Sequence, residues 1–545
     1  MDIPAVAKRT HEEGEDPQPK RIKALEEREL TIVDAKTKAD PSQTTQDAPD
    51  ALPENGAAKG KRRDASGYPG SRKGKDKDTK NAGRRRRTRN EEDLESGKTG
   101  AEPRSSAPRL PKRMCALLIG FCGSGYSGMQ IQQNAKTIEN ELFDAMVRAG
   151  AVSEDNADDP VKVNIARAAR TDAGVHAAGN IVSLKMITSV PGVSNMIARI
   201  NEELPPEIRL WGTVRVQNSF NPRTLCDSRK YTYFFPSYLL IPPKPRSPQY
   251  CVLTKHAVTL PLATPSPVAD HPFWAGGAPT DDRDDLVRKR AWRIGAAQLE
   301  QLRTAAQKYI ATHNFHNFTV NGEFSDRSNQ RIMKNIVIAD PVVYGETEWI
   351  SVLFHGQSFM MHQVRKMISA LVLACRTGTP PHIIDELYGP RDVFIPKMPA
   401  LGLLLEQPIF DSYNVRVARI NEKLTPEHAD YRPPIDFEVH KDAIAAFKQT
   451  YIYENMRRVE DRDGLFDAWI RMVDGYGGDD LLYLNPKGII PPAAVIKDRH
   501  RKLPFKEKKL FDATSFPDGK QSMDAEEEDE EEMQVDKRKR IDTEG

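Results

Sequence analysis

The apolar positions of this chain fall into short runs whose period changes along its length. Cys115-Ala116-Leu117-Leu118-Ile119-Gly120-Phe121 is an almost unbroken apolar run of strand length, followed by a Gly/Ser-rich turn. Over 137–149, Ile138, Leu142, Ala145, Met146 and Ala149 recur at helical spacing, with Thr137 placed to cap the helix and Gly150 to end it. Residues 180–186 alternate like a half-buried strand. A second helix is predicted over 193–201, between Pro191-Gly192 and Pro205-Pro206, and strands around 210–216 and 229–235. In the last of these Tyr231, Tyr233 and Phe235 share one side. After a weakly periodic stretch the pattern resumes with a helix over 296–312, strands over 331–338 and 349–354, and a helix over 361–375. Val364, Met367, Ile368, Leu371 and Val372 form the buried stripe of that last helix, which Gly378 and Pro380 terminate. One or two further helices are expected over 435–476, where Phe466, Trp469, Ile470 and Met472 are apolar. Strands and helices mixed in this way predict an antiparallel α+β layer, built from two similar lobes facing a shared cleft, and not a doubly wound parallel sheet.

Composition narrows where the fold lies. The chain has 545 residues, yet 1–112 carries almost no apolar periodicity and is rich in charged residues, Pro, Gly and Ser. Such a segment cannot bury enough apolar surface to offset its ordering entropy, so a disordered arm is expected. A disordered acidic and basic tail is expected over 512–545, where Glu526-Glu527-Glu528-Asp529-Glu530-Glu531-Glu532 precedes Lys537-Arg538-Lys539-Arg540. Between them the divisions read as a first lobe over 113–241, an insertion or linker rich in Pro, Asp and Arg over 242–295, a second lobe over 296–415, and a C-terminal helical extension over 416–511. The net charge of +2 averages opposite blocks. Lys20-Arg21-Ile22-Lys23, Lys59-Gly60-Lys61-Arg62-Arg63 and Arg84-Arg85-Arg86-Arg87-Thr88-Arg89 cluster in the arm, pointing to nuclear import or nucleic-acid contact. The five cysteines are scattered, with neither C-x-x-C pairs nor Cys/His ligand spacing. This predicts a reducing compartment and no readable zinc site, leaving open a structural zinc held by dispersed residues. No apolar stretch has the length of a membrane span and the start of the chain resembles no secretory signal, so a soluble, intracellular protein is expected.

Candidate chemistry centres on Arg170-Thr171-Asp172-Ala173-Gly174-Val175-His176. An Asp beside Gly is ordinarily a turn residue. Here Arg170 stands two positions away, a cation expected to favour the ionised carboxylate. Gly123-Ser124-Gly125-Tyr126-Ser127-Gly128 spells G-x-G-x-x-G, but Met129–Lys136 separates it from the helix that a dinucleotide pyrophosphate would need. It reads better as a close-approach loop lining a cleft than as the mark of a dinucleotide-dependent oxidoreductase. His176 and His362 are of a type that serves as acid or base, although an isolated His is more often structural. Arg365 shares with His362 and Ser369 the helix face away from the apolar stripe. Its ordinary role there is a solvated charge; its functional one is to face Asp172 across the cleft and hold that carboxylate ionised.

Taken together, several segments resemble the TruA-type family of tRNA pseudouridine synthases, and its eukaryotic branch in particular. They are Gly125-Tyr126-Ser127-Gly128-Met129-Gln130, Ala169–Ala177 around Asp172, Phe220-Asn221, Arg229-Lys230-Tyr231-Thr232-Tyr233, Ser358–Met367, and Pro399-Ala400-Leu401-Gly402-Leu403-Leu404-Leu405. Phe466-Asp467-Ala468-Trp469 extends the likeness to the C-terminal helices. Met129 stands where other members often carry Trp, in keeping with the eukaryotic pattern. The resemblance implies two ferredoxin-like lobes in one extended antiparallel sheet, helices on one side, a central RNA-binding cleft, and C-terminal helices. It implies Asp172 as catalytic nucleophile. For substrate binding it implies Tyr231 stacked on the target base, Arg170 filling the gap left when that base is extruded, and Arg365 as salt-bridge partner of Asp172. The implied partner is tRNA, with small nuclear RNA and mRNA as further candidates, and no cofactor is required for the chemistry. The basic clusters of the arm point to the nucleus, reached through the import machinery. Bacterial relatives use a dimer, but the C-terminal helices here would block that surface, so a monomer is expected. The competing reading is a catalytically silent RNA-binding or RNA-chaperone protein that kept the cleft.

Overall fold

The computed structural model describes residues 110–132, 134–260, 271–275, 282–497, 505 and 508–512. The three basic clusters of the arm and the acidic run of the tail lie outside the described residues. The first half is built from β1 (Lys112–Phe121), α1 (Ile138–Arg148), β2 (Ala166–Arg167), β3 (His176–Ile187), α2 (Met196–Glu203) and β4 (Ile208–Arg215). Its strands pair in the order β4-β1-β3-β2. The second runs through β5 (Ser228–Pro236), α3 (Pro248–Thr259), α4 (Asp282–Ala291), α5 (Ala296–Gln307), β6 (Ala311–Asn314), β7 (Gln330–Ile338), β8 (Val342–Tyr344), β9 (Thr347–Gly356), α6 (Gln363–Arg376) and β10 (Leu403–Ile409). Its main strands pair as β10-β5-β9-β7. In both halves a β-α-β-β-α-β path puts the fourth strand beside the first and the third between first and second, which is the ferredoxin-like arrangement expected. β5, although it lies within 113–241, pairs with β9 and β10.

The halves join edge to edge in one ten-stranded sheet. β10 lies parallel to β3, with Leu404 opposite His176 and Leu405 opposite Ala177; the other pairings among the described strands are antiparallel. Farther along β3, Val182 and Ser183 pair with β2 instead. One edge of β3 thus carries two neighbours in turn, and the connection that holds Asp172 leaves the sheet between them.

Local chemistry explains the element ends. Thr137 accepts a hydrogen bond from the Asn140 N–H and caps α1 as predicted. α2 begins later than its apolar pattern suggests because Asn195 supplies the cap, accepting from the Ala198 N–H. β1 is buried on both faces. Cys115, Leu117, Ile119 and Phe121 join the main core with α1, while Met114, Ala116 and Leu118 join a second core. Tyr413 and Val417 of α7 (Asp411–Asn421), with Ile435 and Phe437, close that second core. The stretch 242–295 is more than a linker. It contains α3 and α4, and Lys289 of α4 is buried against Asp467 at 2.7 Å.

Asp467 belongs to the C-terminal helices α8 (Lys441–Phe447), α9 (Glu454–Asp463) and α10 (Leu465–Asp474). Arg376 of α6 grips Asp474 through two hydrogen bonds of 2.6 and 3.2 Å. The predicted stripe of α6 is buried, but so are Arg365 and Ser369. Arg365, expected to be solvated, is covered where Phe511, Asp512 and the Met398 carbonyl take its guanidinium.

Candidate active site

Asp172 sits on a tightly braced turn. The Val175 N–H donates to the Asp172 carbonyl at 3.2 Å, and Gly174 adopts a φ of +73°, a backbone conformation open to glycine. The Gly-rich loop after β1 supports this turn from behind. Met129 N–H donates to the Thr171 carbonyl (3.1 Å) and Gly174 N–H to the Tyr126 carbonyl (3.3 Å). A Cβ at Gly123 would stand 2.1 Å from the Val175 oxygen, so the loop is indeed one of close approach and its G-x-G-x-x-G spacing serves packing. His176 fastens the same junction, accepting from Gly123 N–H at Nδ1 (3.0 Å) and donating from Nε2 to the Leu401 carbonyl (3.1 Å). It is fully buried, and burial drives its pKa down to about 4. His176 is therefore a neutral structural residue.

The other predicted residues converge on the turn from distant parts of the chain. Asp172, Arg170, Tyr231, His362 and Arg365 all line one cleft of about 610 Å³, a volume suited to a ligand of small-molecule size. Tyr231, buried on β5, meets Phe359 edge to face at 5.0 Å. Burial pushes its phenol up to about 12, so at neutral pH the ring offers a face and a proton donor but no base. Arg170 lines the cleft and also an adjoining cavity of about 160 Å³ shared with Arg167, Asn221 and Arg223. His362 takes a left-handed φ of +61° at the start of α6 and brings Nε2 to 3.6 Å from Asp172 Oδ2. Burial and then the charges of Arg365 and Lys397 hold its pKa down to about 3, leaving the imidazole neutral.

Two expectations are corrected here. Arg365 does not pair with Asp172. Its Nε donates to the Met398 carbonyl (2.6 Å), and its Nη2 to the Asp512 carboxylate (2.6 Å) and the Phe511 carbonyl (3.3 Å). Asp512, expected to begin a disordered tail, is held in the cleft and takes the guanidinium. The second correction concerns charge. Nearby cations were expected to favour ionised Asp172, yet its carboxyl is raised above the ordinary value. Desolvation in the cleft is the largest influence; Arg365 and Lys397 pull down, while Asp512 adds a like charge that pushes up. The side chain still keeps 35% of its surface open to the cleft.

Four residues of the site were given no role from the sequence, although Arg229 opens one of the segments that carry the resemblance. Asn180, buried inside β3, pairs its amide with both backbone groups of Ala169 (3.0 and 3.2 Å) and so anchors the approach to Asp172. Arg229 donates to Ala168 O in the first half (2.9 Å) and Gln357 O in the second (3.1 Å), stapling the seam. Lys397 and Asp512 form a 2.7 Å ion pair at the cleft wall. A polar residue in an alternating strand was the only hint of Asn180, and Asp512 looked like any charge in a charged tail. Among the described residues no three His, Cys, Asp or Glu groups cluster to hold a metal, and no helix is long and apolar enough to cross a membrane.

This geometry provides a partly open carboxylate, a flat aromatic ring and several cations around one cleft at the joint of two halves. The family model for tRNA pseudouridine synthase matches residues 305–411. The chain is 40% identical over 407 residues to tRNA pseudouridine synthase 1 of Candida glabrata, covering 68% of this chain and 72% of the relative. It is 36% identical over 476 residues to tRNA pseudouridine synthase 1 of Schizosaccharomyces pombe, covering 70% and 87%. A tRNA pseudouridine(27/28) synthase of Saccharomyces cerevisiae is 34% identical over 385 residues, covering 66% and 98%.

Proposed function

This chain belongs to the tRNA pseudouridine synthase family, and on that premise we propose that it isomerises uridine to pseudouridine in tRNA with Asp172 as the nucleophile. In this reaction the bond between C1′ and the uracil N1 breaks, its electron pair leaving with the base, while the carboxylate bonds to the electron-poor C1′; that carboxylate–C1′ bond breaks again, its electron pair returning to Asp172, when C1′ is attacked by the turned base. The uracil turns, its C5 attacks C1′, and the C5 proton is lost as N1 regains one. Atoms and electrons balance within the nucleotide, so no cofactor is consumed. The observation that carries the reading is the convergence on one cleft of Asp172, from the turn between β2 and β3, and Tyr231, from β5 across the seam.

A uridine inside folded RNA must leave its stack before C1′ can be reached, at a cost of a few kcal/mol. Tyr231 stacking on the extruded base offsets about 1–3 kcal/mol of this. Arg170, at the junction of the two cavities, is proposed to fill the vacated gap. Arg365 is proposed to act on Asp172 through its field, since its direct partner is Asp512. The substrate range is proposed to extend to small nuclear and messenger RNA, and the basic clusters of the arm to direct nuclear import. Purified Asp172→Ala should bind tRNA with near-normal affinity and form no pseudouridine; substantial turnover by that variant would remove Asp172 from the mechanism.

A further inference from the structure

We propose that the Asp512 carboxylate is an acidic occupant of the cleft, seated on Arg365 and Lys397 when RNA is absent and displaced when tRNA enters. The inference rests on reading the cleft as the RNA site. One Asp512 carboxylate serves both cations, with Oδ1 2.6 Å from Arg365 Nη2 and Oδ2 2.7 Å from Lys397 Nζ. Phe511 is buried in the main core beside it and anchors the seat. The backbone is close as well: a Cβ on Gly174 would stand 2.7 Å from the Asp512 carbonyl oxygen, so the segment lies directly on the turn that carries Asp172.

A carboxylate held by Arg and Lys is the intramolecular counterpart of an RNA phosphate, which the same two side chains would bind by the same charge-assisted hydrogen bonds. The two anions cannot share the seat. Asp512 is held firmly enough to occupy it and openly enough to leave, since its side chain is 33% exposed while Arg365 is fully buried. Arg365 Nη1 has no hydrogen-bond partner among the described residues, so the guanidinium keeps a donor in reserve for the rearranged site. The alternative is that Asp512 positions Arg365 permanently and stays in place with RNA bound.

The full-length chain with Asp512→Asn distinguishes the two. Removing a competing state raises apparent affinity by the reciprocal of the fraction that was open, so the tRNA Kd should fall by about fivefold or more, the low end of ordinary coupling between sites. An unchanged or weaker affinity overturns the proposal. A second measurement needs no variant. Hydrogen exchange of the 508–512 backbone in the wild-type chain should become faster when tRNA is added, whereas unchanged or slower exchange means that the segment stays seated and the proposal fails. Both are binding readouts, so they are independent of whether Asp172→Ala loses turnover; a failure of the nucleophile assignment would register in that variant alone.

Discussion

At Asp172 desolvation and the guanidinium of Arg365 oppose each other, and desolvation prevails. A nucleophile with a raised pKa is a stronger base when ionised, but it is protonated at a higher pH than an ordinary carboxylate. His176, at the start of β3 just after that turn, shows what burial does to a base. Its ordinary value of 6.5 falls to about 4 in the fold. Between those values the unfolded chain binds the proton and the folded chain does not, so the stability in question is complete above about pH 6.5. It is lost as the pH falls towards 4, by about 3 kcal/mol in all. Urea midpoints measured at pH 7 and pH 5 should show this decline, and His176→Gln should flatten it. Equal pH dependence in the two proteins would mean that His176 titrates freely. The role of His176 was open in sequence because Gly123 and Leu401, its two partners, are recognisable only once the strands are paired.

Among the elements, α1 was readable from its own residues because its cap, stripe and terminating glycine are neighbours in sequence. α6 was readable only in part. Its stripe predicts one buried face, but periodicity cannot tell a solvated Arg from one whose partners arrive from Met398, Phe511 and Asp512. The helices of 242–295 were missed for a related reason. α4 is so polar that its sequence resembles a linker, and what holds it is the buried pair of Lys289 with Asp467. α10 also reaches the site. Trp469 is fully buried and its Nε1 donates to the Lys397 carbonyl at 2.8 Å, helping to fix the backbone of a cleft cation. Trp469→Ala should cost about 3–5 kcal/mol of stability, seen as a lower urea midpoint at unchanged slope. Trp469→Phe, which keeps most of the packing and loses the hydrogen bond, should cost far less. Similar losses in both variants would show that the hydrogen bond, not the packing, dominates.

For the whole molecule, the near-zero net charge hides a division between basic cleft walls and arm on one side and an acidic tail on the other. Binding of tRNA through Lys and Arg should release counterions, so affinity should fall by about tenfold or more between 50 and 200 mM salt, as only two phosphate contacts would require. A flat dependence would contradict a phosphate-binding cleft. Repeating the titration on a chain lacking residues 1–109 would show the share of the arm as a shallower slope. The sheet itself explains why the cleft lies where it does. Two ferredoxin-like units meet edge to edge at the parallel contact of β3 with β10, and the Asp172 turn emerges beside that joint.

The sequence by itself determined the strongly patterned strands and helices, the repeated α+β plan, the Asp172 turn with Arg170, and the family, because each is written in neighbouring residues or in motifs that keep their spacing. Only the tertiary structure decided that desolvation outweighs the cations at Asp172 and that Asn180 and Arg229 brace the approach to it. It also decided that Arg365 is buried and bound to Asp512. Those outcomes are sums of burial and Coulomb interaction over groups far apart in the chain, and no local pattern records which distant carboxylate reaches a guanidinium first.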